Sequence, residues 1–200
     1  MAHDQFRAPG RPRDTSIDAR VLDATRQLLE ERGFEAATVQ AIAARSGVHA
    51  SAIYRRWPSR VEIIEQAVFP GFASTTVRAT GDLRADLRRF IHGYLATMGA
   101  PAARAAMPGL LATYQSAGRT AAPETWLAVS ARPQFNDILQ AAPAGSVRPD
   151  VNPDDVFDML LGAIVARVLI PTVIQRDRPA ERLVELILRL LQPRTSEPKS

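Results

Sequence analysis

Residues 38–60 read TVQAIAARSGVHASAIYRRWPSR, a stretch with four arginines and no acidic side chain, although Glu35 and Glu62 stand close outside it. In a chain that is 23% charged, this loss of carboxylates says something about what the segment faces. Two short helical patterns flank Ser46-Gly47-Val48, the arrangement of a helix-turn-helix whose second helix can enter a DNA major groove. Thr38 is placed to cap the first helix, with Val39, Ile42 and Ala43 facing inward. Gly47 can take a positive φ in the tight turn, and Val48 with Ile53 supplies the apolar lock. These features point to nucleic acid as a partner.

Outward from this stretch the chain continues to read as helix. Residues 1–14 are polar and broken by Pro9, Gly10 and Pro12, so they read as a disordered basic arm, in which Arg11 and Arg13 are candidates for a minor groove. The same composition also suits a terminus with no role. Ile17, Val21, Ala24 and Leu28 recur at helical spacing, Asp18 suits a positive first turn, and Gly33 is a good left-handed terminator. On the other side, Pro58, Ser59 and Arg60 open a helix continued by Ile63, Ile64, Ala67 and Val68. Gly71 to Gly81 reads as a connection. The expected division is an arm over 1–14, a DNA-binding domain of three to four helices over 15–70, and an antiparallel helical bundle over 71–200 that binds ligand and dimerises.

In that second part, Leu83, Leu87, Phe90, Ile91, Tyr94, Leu95 and Met98 predict one helix, and Leu110, Leu111 and Tyr114 a shorter one. A further helix is expected over about Pro123 to Ala142, bent at Pro133. The last two, about Pro153 to Ile174 and Ala180 to Leu191, carry more apolar surface than one stripe can use. Two such helices meeting their symmetry mates would form an isologous four-helix bundle. Phe157, Leu161, Gly162 and Val165, with Leu183, Leu186, Ile187 and Leu190, are the candidate homodimer interface. No alternating strand pattern of useful length occurs, so the fold class is all-α.

Composition narrows the function. A 200-residue chain with 46% apolar residues can bury a core, and with no cysteine it has neither disulfides nor thiolate metal sites. The net charge of +4 is mildly favourable to polyanions. The N-terminus lacks a signal-peptide pattern, and the longest apolar stretch, Met159 to Ile174, is interrupted by Arg167 and Pro171, so a cytoplasmic protein with no membrane partner is expected. His3, His49 and His92 are too scattered for a metal motif, and no nucleophile elbow or glycine-rich phosphate loop occurs, so neither a catalytic site nor a cofactor is expected.

Bundles form ligand cavities between helices. His92, Tyr94, Met98, Met107 and Tyr114 could line one, together with Trp126, Phe135, Met159 and Arg167, a set suited to a mainly apolar or aromatic effector. Arg167, a cation within an apolar helix, needs a partner such as Asp158, a helix terminus or an anionic group of a ligand.

The segment from Ile17 to Val68 resembles the DNA-binding domain of the TetR family of bacterial transcriptional regulators. The resemblance rests on Gly33-Phe34, Thr38-Val39, Ile42-Ala43, Gly47-Val48, Ile53-Tyr54 and the RRWPSR run from Arg55 to Arg60. GSVRPDVNPDDVFDMLLGAI from Gly145 to Ile164, with AERLVELILRLL from Ala180 to Leu191, is similar to the regulatory domain of one branch of that family. Residues 70 to 145 match in general helical character. The resemblance implies phosphate contacts from Thr38, Tyr54, Arg60 and, among the reading-helix arginines, Arg56. It places Gln40, His49, Ala50, Ser51, Ala52 and Arg55 where base edges are read. His49, Ala50 and Ala52 depart from the family's usual side chains, so direct readout falls to Gln40, Ser51 and Arg55. A ligand-responsive repressor that binds a near-palindromic operator as a homodimer is the implied function. A sequence-neutral DNA-binding protein and, more remotely, an all-helical enzyme are the alternatives.

Overall fold

Gly33, at φ 77°, closes the first helix in the left-handed conformation that a glycine adopts freely, and its amide returns to the Leu29 carbonyl oxygen at 2.9 Å. That helix, α1 (Thr15–Arg32), carries Asp18 in its positive first turn and Arg32 in its last. The computed structural model describes residues 15–69, 78–117, 131–170 and 178–193. Val21, Ala24, Leu28 and Leu29 form the buried face of α1. Arg11 and Arg13 lie outside the described residues, as does Trp126.

Three shorter helices follow, each set by its cap. The Thr38 hydroxyl accepts the Ala41 amide at 3.1 Å to start α2 (Val39–Ser46), which Gly47 ends at φ 65°. The five-residue α3 (Ala50–Tyr54) starts after His49, which makes no side-chain cap. Ser59 and Glu62 form a reciprocal cap at the start of α4 (Arg60–Val68): Ser59 Oγ accepts the Glu62 amide at 3.2 Å and donates to the Glu62 carboxylate at 3.1 Å. Pro58 stands just ahead of this cap, so it precedes the helix instead of occupying its first turn.

The second part begins with α5 (Leu83–Gly99), capped by Asp82, and passes through Ala100 into α6 (Pro101–Ala117). The expected short helix near Leu110 is thus a full one that tolerates Pro108 in its interior. Then come α7 (Arg132–Ala141), α8 (Pro153–Leu169) and α9 (Pro179–Leu191). Pro133 lies in the first turn of α7, where its missing N–H costs nothing, and does not bend the helix. Among the described residues all regular structure is helical.

Two apolar cores organise these helices. The body core joins Leu87, Phe90 and Ile91 of α5, Phe135 and Ile138 of α7, Phe157 and Leu160 of α8, and Leu183, Ile187 and Leu188 of α9. The head core holds α1 to α4 through Leu28, Leu29, Ile42, Ile53, Ile63 and Ile64, and it also takes in Ala102, Ala103, Ala106 and Leu110 of α6. A boundary near residue 70 therefore separates the chain but not the packing, because the alanine face of α6 completes the head.

The fit of α6 is close. A Cβ built on Gly109 would stand 2.1 Å from a carbon of the Phe34 ring, whereas one on Gly93, in the middle of α5, would meet nothing within 4 Å. Glycine inside a helix ordinarily costs about 1 kcal/mol relative to alanine, so replacing it usually stabilises. Gly93→Ala is therefore expected to raise stability by about 1 kcal/mol. Gly109→Ala is expected to lower it by about 1 to 3 kcal/mol through overpacking, with both read from denaturant unfolding.

Candidate nucleic-acid interface

The helix-turn-helix divides cleanly into a buried and an exposed set. Val39, Ile42, Val48, Ile53 and Trp57 are buried, and the Trp57 indole N–H finds its partner in the Gln66 side-chain oxygen. Within the turn, Ser46 Oγ donates to the Ala43 carbonyl at 3.4 Å and accepts the Val48 amide at 3.3 Å, so the bend is satisfied from inside. Gln40, His49, Ser51 and Arg55 are exposed, and Tyr54 is 52% exposed, an unusual position for a large aromatic side chain. Ala50 and Ala52 are half-buried and pack against the head core. His49 Nδ1 and Ser51 Oγ lie 3.0 Å apart, so the two side chains at the start of α3 share a hydrogen bond.

The arginines of this acid-free segment are mostly committed. Arg45 forms a two-pronged bridge to Glu31 of α1, both contacts at 2.6 Å, and this charge-assisted pairing holds the Glu31 carboxyl below its ordinary range. Arg56, expected to contact phosphate, places Nε 2.6 Å from Asp18 Oδ1, and both side chains are largely covered. Arg60, expected to do the same, donates to the Phe34 carbonyl, lies 4.4 Å above the Phe34 ring centroid and stands 3.7 Å from Glu35. Carboxylates missing from the segment thus arrive from α1 and from the turn ahead of α2. Arg55 alone of the four has no such partner among the described residues.

The expected effector residues do not gather into one cavity. Tyr94, Met98, Met107 and Phe135 are buried in the body core, where Tyr94 stacks on Phe157 with ring centroids 6.2 Å apart. His92 is exposed and shares Glu181 with Arg88, at 3.1 and 2.8 Å. Met159 is 60% exposed on α8. Arg167 donates to the Ala163 carbonyl of its own helix at 2.9 Å, while Asp158 is taken by Arg132 at 2.5 Å. Tyr114 is drawn to the head, where its hydroxyl donates to Glu65. No sequence signal at Glu65 marked this contact, because the two residues belong to separate helical patterns 49 positions apart.

The candidate dimer set also divides. Phe157, Leu183 and Ile187 are buried within the protomer and have no surface left for a partner, which corrects that part of the expectation. Leu161, Val165 and Leu190 are half-buried, and Gly162 and Leu186 are exposed. Met159, Ile170 and Leu186 are the large apolar side chains exposed on the body among the described residues, at 60%, 47% and 51%.

An all-helical head with a reading surface on α2 and α3, completed by a helix of a second bundle, is matched by known proteins. Residues 21–67 match the family model described as bacterial regulatory proteins, tetR family, and residues 77–187 match the tetracyclin repressor-like, C-terminal domain. The chain belongs to the TetR family of bacterial transcriptional regulators. It is 29% identical over 182 residues to an uncharacterized HTH-type transcriptional regulator of Mycobacterium bovis, covering 82% of this chain and 80% of the relative. Its fold resembles that of a TetR-family regulator from Haemophilus influenzae at TM-score 0.63 and 16% identity, covering 92% of this chain and all of that one (100%). A TetR regulator from Agrobacterium tumefaciens is similar at TM-score 0.61 and 19% identity, with coverage of 92% and 97%. TetR regulators bind DNA, respond to ligands and are not enzymes. No helix among the described residues is long and apolar enough to cross a membrane.

The pairing of Arg60 with Phe34 and the freedom of Arg55 give opposite expectations for two alanine variants. Arg60→Ala should lower stability by about 1 to 2 kcal/mol through the lost hydrogen bond and ring contact, while the salt dependence of log K stays unchanged. Arg55→Ala should leave stability alone and relax base preference at one position per half-site, costing about 1 to 3 kcal/mol there. Thermal unfolding and binding to a randomised duplex pool measure the two effects.

Proposed function

We propose that this chain is a ligand-released repressor that binds a near-palindromic operator as a homodimer. The observation that carries the reading is the exposed row Gln40, Ser51, Tyr54 and Arg55, seated on a fully buried helix-turn-helix core and free of carboxylates. Gln40 and Arg55 have the donor and acceptor geometry to read adenine and guanine, Ser51 suits either, and Tyr54 and Thr38 suit phosphate oxygens. Arg11 and Arg13 would add minor-groove contacts from the arm.

Dimerisation would use Met159, Gly162, Ile170 and Leu186, which the protomer leaves exposed and a two-fold mate would cover. Pairing sets the distance between the two reading heads, and DNA with inverted half-sites rewards that distance. A small apolar or aromatic effector would lodge among Phe90, Tyr94, Phe135 and Phe157, forcing α5 and α7 apart. It acts only to the extent that it prefers the conformation that does not bind DNA.

Selection from a random duplex pool should enrich one inverted repeat, bound about 10³-fold or more above unrelated DNA. Recovery of an unbiased pool would replace this reading with a sequence-neutral binder. Leu186→Arg should give a folded monomer in sedimentation and lose most affinity for the enriched site. A dimer that survives this substitution would move the interface elsewhere.

A further inference from the structure

Arg55 and Arg56 follow each other at the end of the reading helix and meet opposite fates. Arg55 is exposed and has no carboxylate partner among the described residues, whereas Arg56 Nε donates to Asp18 Oδ1 at 2.6 Å, across 38 positions of sequence. The Arg56 side chain is 16% exposed and that of Asp18 30%. The bridges of Arg45 and Arg60 are more open at the carboxylate, with Glu31 51% and Glu35 88% exposed. Salt screens an open pair, while a covered one keeps most of its attraction. Asp18 stands in the first turn of α1, so the start of that helix is tied to the residue that follows Arg55. The side chains offered above for phosphate oxygens, Thr38 and Tyr54, are neutral. A cation at the end of the reading helix is therefore present but engaged by the protein itself.

We propose that Asp18 limits the affinity of the head for DNA by holding Arg56 in place of a backbone phosphate, so that the end of the reading helix makes no ionic phosphate contact. This rests on the reading surface assigned above to α2 and α3. A carboxylate and a phosphodiester each offer two anionic oxygens to a guanidinium, so the two compete for one cation. A helix seated in the major groove is flanked by backbone phosphates, and a guanidinium released at its end has an anion within reach. Such a contact is indifferent to sequence, because every base pair carries the same phosphates. Removing the Asp18 charge should therefore strengthen binding to all duplexes alike. It should also steepen the salt dependence, since each phosphate neutralised releases about 0.9 of a counterion. Arg55, left free, remains the cation for base edges. Keeping the total affinity moderate serves a regulator that a ligand must release, because the preference of the effector for the unbound form has to outweigh that of DNA for the bound one.

The test measures DNA dissociation constants of the full-length protein by fluorescence anisotropy between about 50 and about 300 mM salt. Both the duplex enriched from the pool and a random-sequence duplex are titrated, and circular dichroism confirms that each variant is folded. Asp18→Asn, which keeps the shape and removes the charge, should tighten both duplexes about threefold to tenfold per head bound. The slope of log K against log salt should steepen by about 1 per head. Asp18→Asn combined with Arg56→Gln should return the slope to that of wild type. Glu185→Gln, which adds the same charge on the body, should leave the slope where it is. A merely structural bridge would cost stability and move no slope. An Asp18→Asn slope equal to that of wild type would overturn the proposal, as would an equal steepening by Glu185→Gln, which would assign the effect to net charge. So would a double variant whose slope is about 1 per head shallower than wild type, because Arg56 would then already rest on a phosphate. A gain confined to the enriched duplex would mark Arg56 as a base reader and overturn it too. Asp18→Ser, whose side chain also suits the start of a helix, takes the same part if Asp18→Asn does not fold. Equal binding of both duplexes by the wild type would defeat the regulator reading alone, since the slopes are scored on either duplex.

Discussion

The alanine face of α6 is built into the core that holds the DNA-reading helices, and this shared packing constrains everything else in the molecule. Ala102, Ala103, Ala106 and Leu110 are buried there beside Leu28, Leu29 and Ile64, and Gly109 lets the Phe34 ring lie where a side chain would stand. Small residues permit the backbone of α6 to approach α1 and α4 closely, so the fit depends on position along α6 more than on total apolar area. Cores of this kind have discrete arrangements instead of a continuum, which is the property a switch requires.

Charge on the reading head is arranged by the same logic. An acid-free run of sequence suggests a cationic rod, yet Asp18, Glu31 and Glu35 supply three of its arginines with partners from outside the run. Such pairs, partly covered and geometrically good, tie α1 to α2 and to the end of α3, so the head resists shear where it meets DNA. What is left for recognition is modest in charge and rich in donors. A surface of this kind suits base discrimination better than bulk attraction to phosphate.

Much of this was legible in the chain. Gly33, Thr38, Gly47 and Ser59 act through local backbone geometry, so the helix starts and stops of the head were visible without any knowledge of tertiary structure. The buried face of α1 followed from periodicity, whereas Gln40, Ser51 and Arg55 were singled out by the resemblance to the family's reading positions. Pairings across distant positions were not visible: Arg56 with Asp18, Tyr114 with Glu65 and Phe34 with Gly109 depend on how helices cross, which no local pattern encodes. The same limit explains Phe157, Leu183 and Ile187. An apolar helix announces that it has two faces to cover, but which face turns inward is settled by its neighbours in the body.

Transmission between the two halves then reduces to a short piece of backbone. The last turns of α5 place Tyr94 and Met98 in the body core, and α6 enters the head core at Ala102, with Ala100 alone between the two helices. The Ala100 amide still returns to the Thr97 carbonyl at 3.3 Å, and its own carbonyl accepts the Arg104 amide at 2.9 Å, so the junction bends without going slack. A displacement of α5 by repacking among Phe90, Tyr94 and Phe157 would reach α6 through this junction. Because α6 is gripped along its alanine face, by Phe34 and by Glu65, the head either moves with it or gives up those contacts. Either outcome would alter the contacts that hold α4 in the head core.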